Sequence, residues 1–389
     1  MNAEYEEAGR RWMAEAISLA RRGAGRTSPN PLVGAVVVGP DGKAAGRGWH
    51  ELAGSSHAEV IALKEAGGFA RGGTLYINLE PCAHRGKTPP CAPAVVEAGI
   101  ARVVAALEDP DPRVAGKGFR ILEGGGVAVE TGLLAREAAR LNEAFITSIE
   151  KGRPFVTLKM AMSLDGRIAA ASGESRWITG EPARAWAHNF RDRVDAILVG
   201  VETLLKDDPL LTARPEGKAG KPLIRVVLDS RLRAPKEARA LPPDRGVATI
   251  VVALAGGDSS RAVELEKAGA KIVFTEAGPG GRVALAPLLE TLGDRGVRHL
   301  LVEGGGQVHG SFLRQGLADR VMAFIAPMII GDDSAPGAVS GGLGLSLGEA
   351  PRLSHLEYEI IGQDVLIQGY LSGPVWARYQ DVPEESSDV

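Results

Sequence analysis

Apolar positions in the first 150 residues alternate between helical and strand periods. Residues 3–22 are amphipathic with helical spacing, and Leu32–Val38 is an unbroken apolar run that predicts a buried strand. An Asp41-Gly42 turn and the segment Ala44–Trp49 complete a hairpin. A helix is predicted from His57 to about Ala66, a strand over Thr74–Leu79, a helix after Pro93, a strand over Arg102–Leu107 and a closing helix over 133–150. This βαβαβ rhythm predicts helices on both faces of a largely parallel sheet. At Lys151-Gly152-Arg153-Pro154 the helical pattern meets a Gly/Pro break, and an apolar strand starts at Phe155. Further strands are predicted near 194–199, 222–229, 248–254, 271–275, 298–302 and 320–326, with helices between most of them. The second half therefore has a Rossmann-like look, but no Gly-x-Gly-x-x-Gly follows its first strand. The expected division is a domain over 1–150, a second α/β domain over 151–375 and an acidic tail over 376–389. No internal repeat is visible.

Composition narrows the class. A chain of 389 residues with 44% hydrophobic and 24% charged residues is that of a soluble globular protein, and its length favours two cores over one. No segment is apolar for long enough to cross a membrane, and the acidic start is unlike a signal sequence, so no membrane association and a cytoplasmic location are expected. A net charge of −3 and 5% aromatic residues argue against nucleic acid as a partner, whether held by its backbone or stacked on rings. The 51 glycines suit tight strand-to-helix turns.

The two cysteines of the chain, Cys82 and Cys91, change this picture most. With His57 they form a set of zinc ligands that leaves one position for water, and Glu59, two residues after His57, is placed to act as general acid and base. Helix starts near His57 and near Cys91 bring partial positive charge that favours thiolates. Two other readings of these residues stay open: a helix cap with two small buried thiols, and a closed structural site with His84 as fourth ligand. In the second half, Leu300-Leu301-Val302-Glu303-Gly304-Gly305-Gly306 runs from a strand through three glycines into a helix. Backbone N–H groups there are able to approach an anion.

His57-Ala58-Glu59 with Pro81-Cys82 and a further cysteine resembles the zinc-dependent cytidine/deoxycytidylate deaminase superfamily, in which the Glu moves protons and is not a ligand. Glu80–Cys91, with its eight residues between the cysteines, and Ser28-Pro29-Asn30-Pro31-Leu32-Val33-Gly34 resemble one branch of it, the bifunctional riboflavin-biosynthesis deaminase/reductases. In that branch the Asn30 region faces the pyrimidine. Arg85, Lys87 and Thr88 in the inter-cysteine segment suit a phosphorylated substrate, or form a solvated basic loop. Val156–Ile168 and Trp177-Ile178-Thr179-Gly180 resemble the reductase half.

The resemblance implies a cytidine-deaminase-like three-layer αβα domain followed by a dihydrofolate-reductase-like α/β domain, with Zn2+ and NADPH as cofactors. It implies cofactor contacts at Ala161, Trp177, Thr203, Asp207, Ser230, Gly305, Gly306, Gln307, Val308, His309, Gly310 and Ser311. It implies substrate contacts at Ser175, Arg191, Leu211, Arg214 and Glu303, with Lys159 and Asp207 as polar neighbours of the reacting sugar. Ser230 followed by Arg231 and Arg233 after a strand also suits a 2′-phosphate chemically. The expected activity is deamination of a phosphorylated pyrimidine followed by reduction of its ribosyl group, in a homo-oligomer. The alternatives are a deaminase with a non-catalytic second domain, a nucleic-acid base deaminase with an appended domain, and a zinc protein with no catalytic activity.

Overall fold

The computed structural model describes residues 3–83 and 89–380. They form two compact units, one running to Gly152 and resuming at Pro374, the other spanning Arg153–Gly373. The expected end of the second domain at residue 375 and the tail from 376 meet a difference here. Pro374 to Arg378 return to the first unit, where a short turn of helix buries Trp376 under the guanidinium groups of Arg136 and Arg140. Arg378 also pairs with Glu150. An indole beside an amphipathic helix pair is more stable covered than in water, which accounts for the return.

The first unit contains α1 (Ala3–Arg21), β1 (Gly34–Val38), β2 (Ala44–Trp49), α2 (Ala58–Ala66), β3 (Thr74–Ile77), α3 (Cys91–Glu97), β4 (Arg102–Ala105), α4 (Lys117–Gly124), β5 (Ala128–Thr131), α5 (Ala135–Leu141) and α6 (Glu143–Lys151). Its sheet has the order β2-β1-β3-β4-β5 and is mixed rather than largely parallel. The β1–β2 hairpin and the β1–β3 pair are antiparallel, whereas β3–β4 and β4–β5 are parallel. Ala35, Val37, Leu75, Ile77, Val103 and Ala105 face Ala58 and Ala62 of α2, Val95 of α3 and Leu122 of α4. Helix α1 packs against the sheet and α5. These are the three layers of the αβα fold.

Two details of this packing set up the site. A Cβ on Gly46 or Gly48 would lie 2.1 or 2.2 Å from the carbonyl oxygen of Ala62 or Ala58, so only glycines let α2 lie this close to β2. The helix expected over 133–150 is two helices that meet at Asn142. The Asn142 side chain accepts from the Leu32 N–H at 2.8 Å and donates to the Leu32 carbonyl at 2.9 Å, pinning the loop that enters β1.

The second unit contains β6 (Phe155–Ser163), α7 (Glu181–Arg191), β7 (Ala196–Gly200), α8 (Val201–Asp207), β8 (Ile224–Leu228), β9 (Thr249–Leu254), α9 (Ser259–Lys267), β10 (Lys271–Thr275), β11 (Ala277–Gly278), β12 (Arg282–Val283), α10 (Leu285–Asp294), β13 (His299–Val302), α11 (Gly306–Arg314), β14 (Arg320–Ala326), β15 (Ser354–Ile361) and β16 (Asp364–Tyr370). Nine strands form one sheet in the order β10-β9-β8-β7-β13-β6-β14-β16-β15, parallel up to β14 and antiparallel after it. The hairpin β15–β16 extends the sheet beyond the seven strands expected. Leu285, Leu288, Leu289 and Leu292 of α10 and Phe312 of α11 cover one face. On the other face Leu204 of α8 and Leu265 of α9 pack in one cluster and Ala183 of α7 in another. Among the described residues, no helix is long and apolar enough to cross a membrane.

Candidate active sites

In the first unit, β1 and β2 lead into α2, with His57 as the residue before its first turn. His57 is extended (φ −78°, ψ 163°), and its side chain makes no cap bond. Its Nδ1 lies 3.5 Å from the Cys82 Sγ and 3.3 Å from the Cys91 Sγ. Cys82 follows β3, and its carbonyl accepts from the N–H groups of Cys91 and Ala92 at the start of α3. His84, Arg85, Lys87 and Thr88 lie outside the described residues.

Bond lengths of about 2.0–2.3 Å place two ligands of one tetrahedral zinc ion about 3.5 Å apart, so the His57–thiol spacings fit that ion. Among the described residues, no fourth His, Cys, Asp or Glu joins these three. The Cys91 thiol and then the His57 ring pull the Cys82 thiol down to about 4, a ligand-ready thiolate, while its pairing with Cys82 and burial push Cys91 upward.

Glu59, in the first turn of α2, is 3% exposed, and its Oε2 is buried with no hydrogen-bond partner. Burial, and after it the charge on Cys82, raise its carboxyl to about 7. A buried carboxyl oxygen without a partner is costly in a finished fold, but it suits a group that exchanges protons with a reactant.

Sequence reasoning gave no role to the groups that frame this site. His50 is buried one residue after β2, packs edge-on to His57 with ring centroids 5.2 Å apart, and contacts Asn30 Nδ2 at 3.1 Å and the Ser56 carbonyl at 3.2 Å. Its position at a strand end, seven residues before His57, was the available signal. Glu80 accepts from the backbone N–H groups of Asp109, Gly116, Gly118 and Phe119, which fixes the loop after β4.

The second unit holds a cavity of about 1300 Å³. Its wall is built where parallel strands end: Gly200 at the end of β7, Leu228 at the end of β8 with Ser230 beyond it, and Glu303 after β13. This is the usual place for ligands in an open α/β sheet. Ala161, Trp177, Thr203, Asp207, Ser230, Gly305, Gly306, Gln307, Val308, His309 and Ser311 line it, as do Ser175, Arg191, Leu211, Arg214 and Glu303. Gly310 is the exception. A Cβ there would lie 1.9 Å from the Ser340 carbonyl oxygen, so Gly310 serves the packing of α11 against the 337–340 segment.

The three glycines also divide their work. Gly304 passes within contact of the β7 backbone and Gly306 within contact of the Gly337 carbonyl, while Gly305 has open space around it. Gly304 and Gly306 are thus required by packing, and Gly305 and Gly306 both border the cavity.

Glu303 is the charged centre of this cavity. Arg191 donates to it through Nε at 2.7 Å and Nη2 at 2.8 Å, and the Lys159 ammonium lies 3.8 Å away. Burial works to raise the Glu303 carboxyl, but Arg191 and then Lys159 hold it at about 2. Burial also lowers the Lys159 ammonium, against the pull of Glu303. Ser175 donates to Asp207 at 2.9 Å. Arg233 pairs with Glu202 at 2.7 Å beside Ser230. His188, Arg239 and Arg282 line the cavity without having been singled out in the sequence. No short motif marks them.

Comparison with known proteins agrees with this geometry. Residues 6–107 match the family described as the cytidine and deoxycytidylate deaminase zinc-binding region, and residues 154–367 match the RibD C-terminal domain. The riboflavin biosynthesis protein RibD of Bacillus amyloliquefaciens is 43% identical over 91% of this chain and 94% of its own. That of Aquifex aeolicus is 41% identical over 93% and 98%. Acinetobacter baumannii RibD superposes with a TM-score of 0.84 at 37% identity, over 94% of this chain and 99% of that one. A diaminohydroxyphosphoribosylaminopyrimidine deaminase/5-amino-6-(5-phosphoribosylamino)uracil reductase from Thermotoga maritima superposes with a TM-score of 0.79 at 33% identity, again over 94% and 99%. With a deaminase zinc-binding region in its first unit and a RibD reductase domain in its second, the chain belongs to the RibD family of riboflavin-biosynthesis enzymes, which join a zinc-dependent deaminase to an NADPH-dependent reductase.

Proposed function

We propose that the first unit deaminates 2,5-diamino-6-(5-phosphoribosylamino)pyrimidin-4-one and that the second reduces the ribosyl group of the product to ribityl. The activity that names the Thermotoga maritima relative supports the substrates. The observation that carries the reading is the buried, unpartnered Oε2 of Glu59 beside the triangle of His57, Cys82 and Cys91.

Those three residues would hold zinc, and the chemistry zinc would supply is activation of water at neutral pH. Glu59 Oε2 takes a proton from the attacking water and returns it to the departing amine. Its burial keeps bulk water from competing for that proton. In the second unit the chemistry supplied by NADPH is a hydride. Ala161 and Trp177 would hold the nicotinamide, and Thr203 and Asp207 would add further cofactor contacts. Gly305 and the start of α11 hold the pyrophosphate, and Ser230 with Arg231 and Arg233 the 2′-phosphate. Arg191 and Glu303, fixed by their two-bond pairing, orient the sugar together with Ser175 and Leu211, and Arg214 takes its phosphate.

Ammonia release and NADPH oxidation test the reading separately. Glu59→Ala removes ammonia release while leaving reduction of supplied intermediate intact, and Gly305→Asp does the reverse by placing a like charge at the pyrophosphate. Loss of both activities from either change, in a folded protein, overturns the two-site assignment.

The expectation of a homo-oligomer finds support in the apolar face of β15. Leu356, Tyr358 and Ile360 are 59%, 83% and 76% exposed there, and such a face is complementary to itself about a two-fold axis. Light scattering on wild type and Tyr358→Lys tests it.

A further inference from the structure

We propose that His188 is a positioning residue for the anion end of the reductase cavity: it holds Arg214 in place through Nε2 while leaving that guanidinium's charge for the substrate phosphate. The inference rests on the phosphorylated-substrate reading above. His188 and Arg191 are three residues apart on α7 and so project from one face of it. Nε2 of His188 lies 3.1 Å from Arg214 Nη2, and Nδ1 lies 3.4 Å from Arg191 Nη1.

A neutral imidazole has one acceptor nitrogen. The shorter contact assigns it to Nε2, which puts the proton on Nδ1 and makes the 3.4 Å approach to Arg191 Nη1 a contact between two donors rather than a hydrogen bond. Burial, and then Arg191 and Arg214, hold His188 down at about 4, so the ring is neutral near pH 7 and able to accept. Among the described residues, His188 is the hydrogen-bond partner of the Arg214 side chain, which stands exposed on the loop after α8. Arg191 is already engaged by Glu303 and by the Thr212 carbonyl.

The charge balance explains why a histidine stands here. Arg191, Arg214, Arg239 and Lys159 face this end of the cavity, and Glu303 is the carboxylate that acts on His188. An Asp or Glu in place of His188 would tether Arg214 equally well, but it would cancel the charge that attracts an anion. A neutral acceptor fixes the guanidinium and leaves its charge in place. An ordered Arg214 guanidinium on an excess of positive charge matches a phosphate dianion.

The test measures KM and kcat of the reductase step with the phosphorylated substrate and with its dephosphorylated counterpart, and inhibition by inorganic phosphate. His188→Leu is expected to raise KM for the phosphorylated substrate and the inhibition constant of phosphate by about tenfold, with kcat within about twofold. KM for the dephosphorylated counterpart stays unchanged. His188→Gln, whose amide oxygen also accepts, restores most of the loss, which a merely structural role for the ring would not produce. The inference is overturned if His188→Leu moves both substrates alike, or moves neither while Arg214→Ala raises KM for the phosphorylated one. If Arg214→Ala also leaves that KM unchanged, the phosphate assignment itself fails and takes this inference with it.

Discussion

The two catalytic units solve the problem of a buried charge in opposite ways. In the first, Glu59 is left with an unpartnered oxygen beside a metal triangle, so its environment is completed by the reaction and not by the protein. In the second, Glu303 is already matched by Arg191 and Lys159. The first site is poised to move a proton, the second to hold a shape. Proton transfer needs a group whose two protonation states are close in free energy, whereas hydride transfer needs fixed distances.

The largest expected effect separates the two at once. Glu59→Gln keeps the size of the side chain and removes its acid–base chemistry, so ammonia release falls by about 10²–10⁴-fold while NADPH oxidation on supplied intermediate is unchanged. Equal loss of both rates would break the comparison.

Arg191→Ala leaves the Glu303 carboxylate buried without its main partner. Breaking such a pair costs about 3–5 kcal/mol, so urea unfolding of the second unit shifts while ammonia release persists. The same pair predicts a pH signature. Glu303 is held at about 2, below its ordinary value of about 4.3, so the stability it contributes is present above about 4.3 and is lost as pH falls through 2. The difference in unfolding free energy between wild type and Glu303→Gln should fall over that window. A flat difference would show that the pairing adds nothing.

Trp376→Ala sharpens where the units divide. Its loss should destabilise the first unit by about 3 kcal/mol, read as faster thermal inactivation of ammonia release with the reductase spared. The smallest effect is expected of Gly48→Ala, which puts a Cβ 2.2 Å from the Ala58 carbonyl. Displacing α2 there costs about 1–3 kcal/mol and moves His57 and Glu59 together, so ammonia release drops with no change in reduction.

The same contrast governs what the sequence reveals. The metal triangle is compressed into residues 57 to 91, and its ligands are residue types that rarely come together for any other purpose, so spacing alone exposes it. The reductase cavity gathers side chains from Lys159 to Ser340, and nothing local to His188 or Arg239 distinguishes them from solvated helix and loop residues. Strands such as Ala196–Gly200 and His299–Val302 are apolar on both faces and stand out as runs. The segment Lys117–Thr131 is hard to read from sequence because α4 is short and β5 is a largely exposed edge strand. Within Gly305 to Ser311, Gly310 stands outside the cavity lining and is required by the Ser340 carbonyl oxygen. A glycine required by a neighbouring carbonyl looks the same in sequence as one required by a ligand.

The return of Pro374 to Arg378 to the first unit has a consequence for how the enzyme is made. A ribosome releases Met1 to Gly152 early, yet Trp376, the cover of α5, emerges only after the whole reductase has been synthesised. The deaminase must therefore wait for its partner before its own fold is closed. Nascent chains stalled anywhere within the reductase carry a deaminase whose α5 lacks the Trp376 cover.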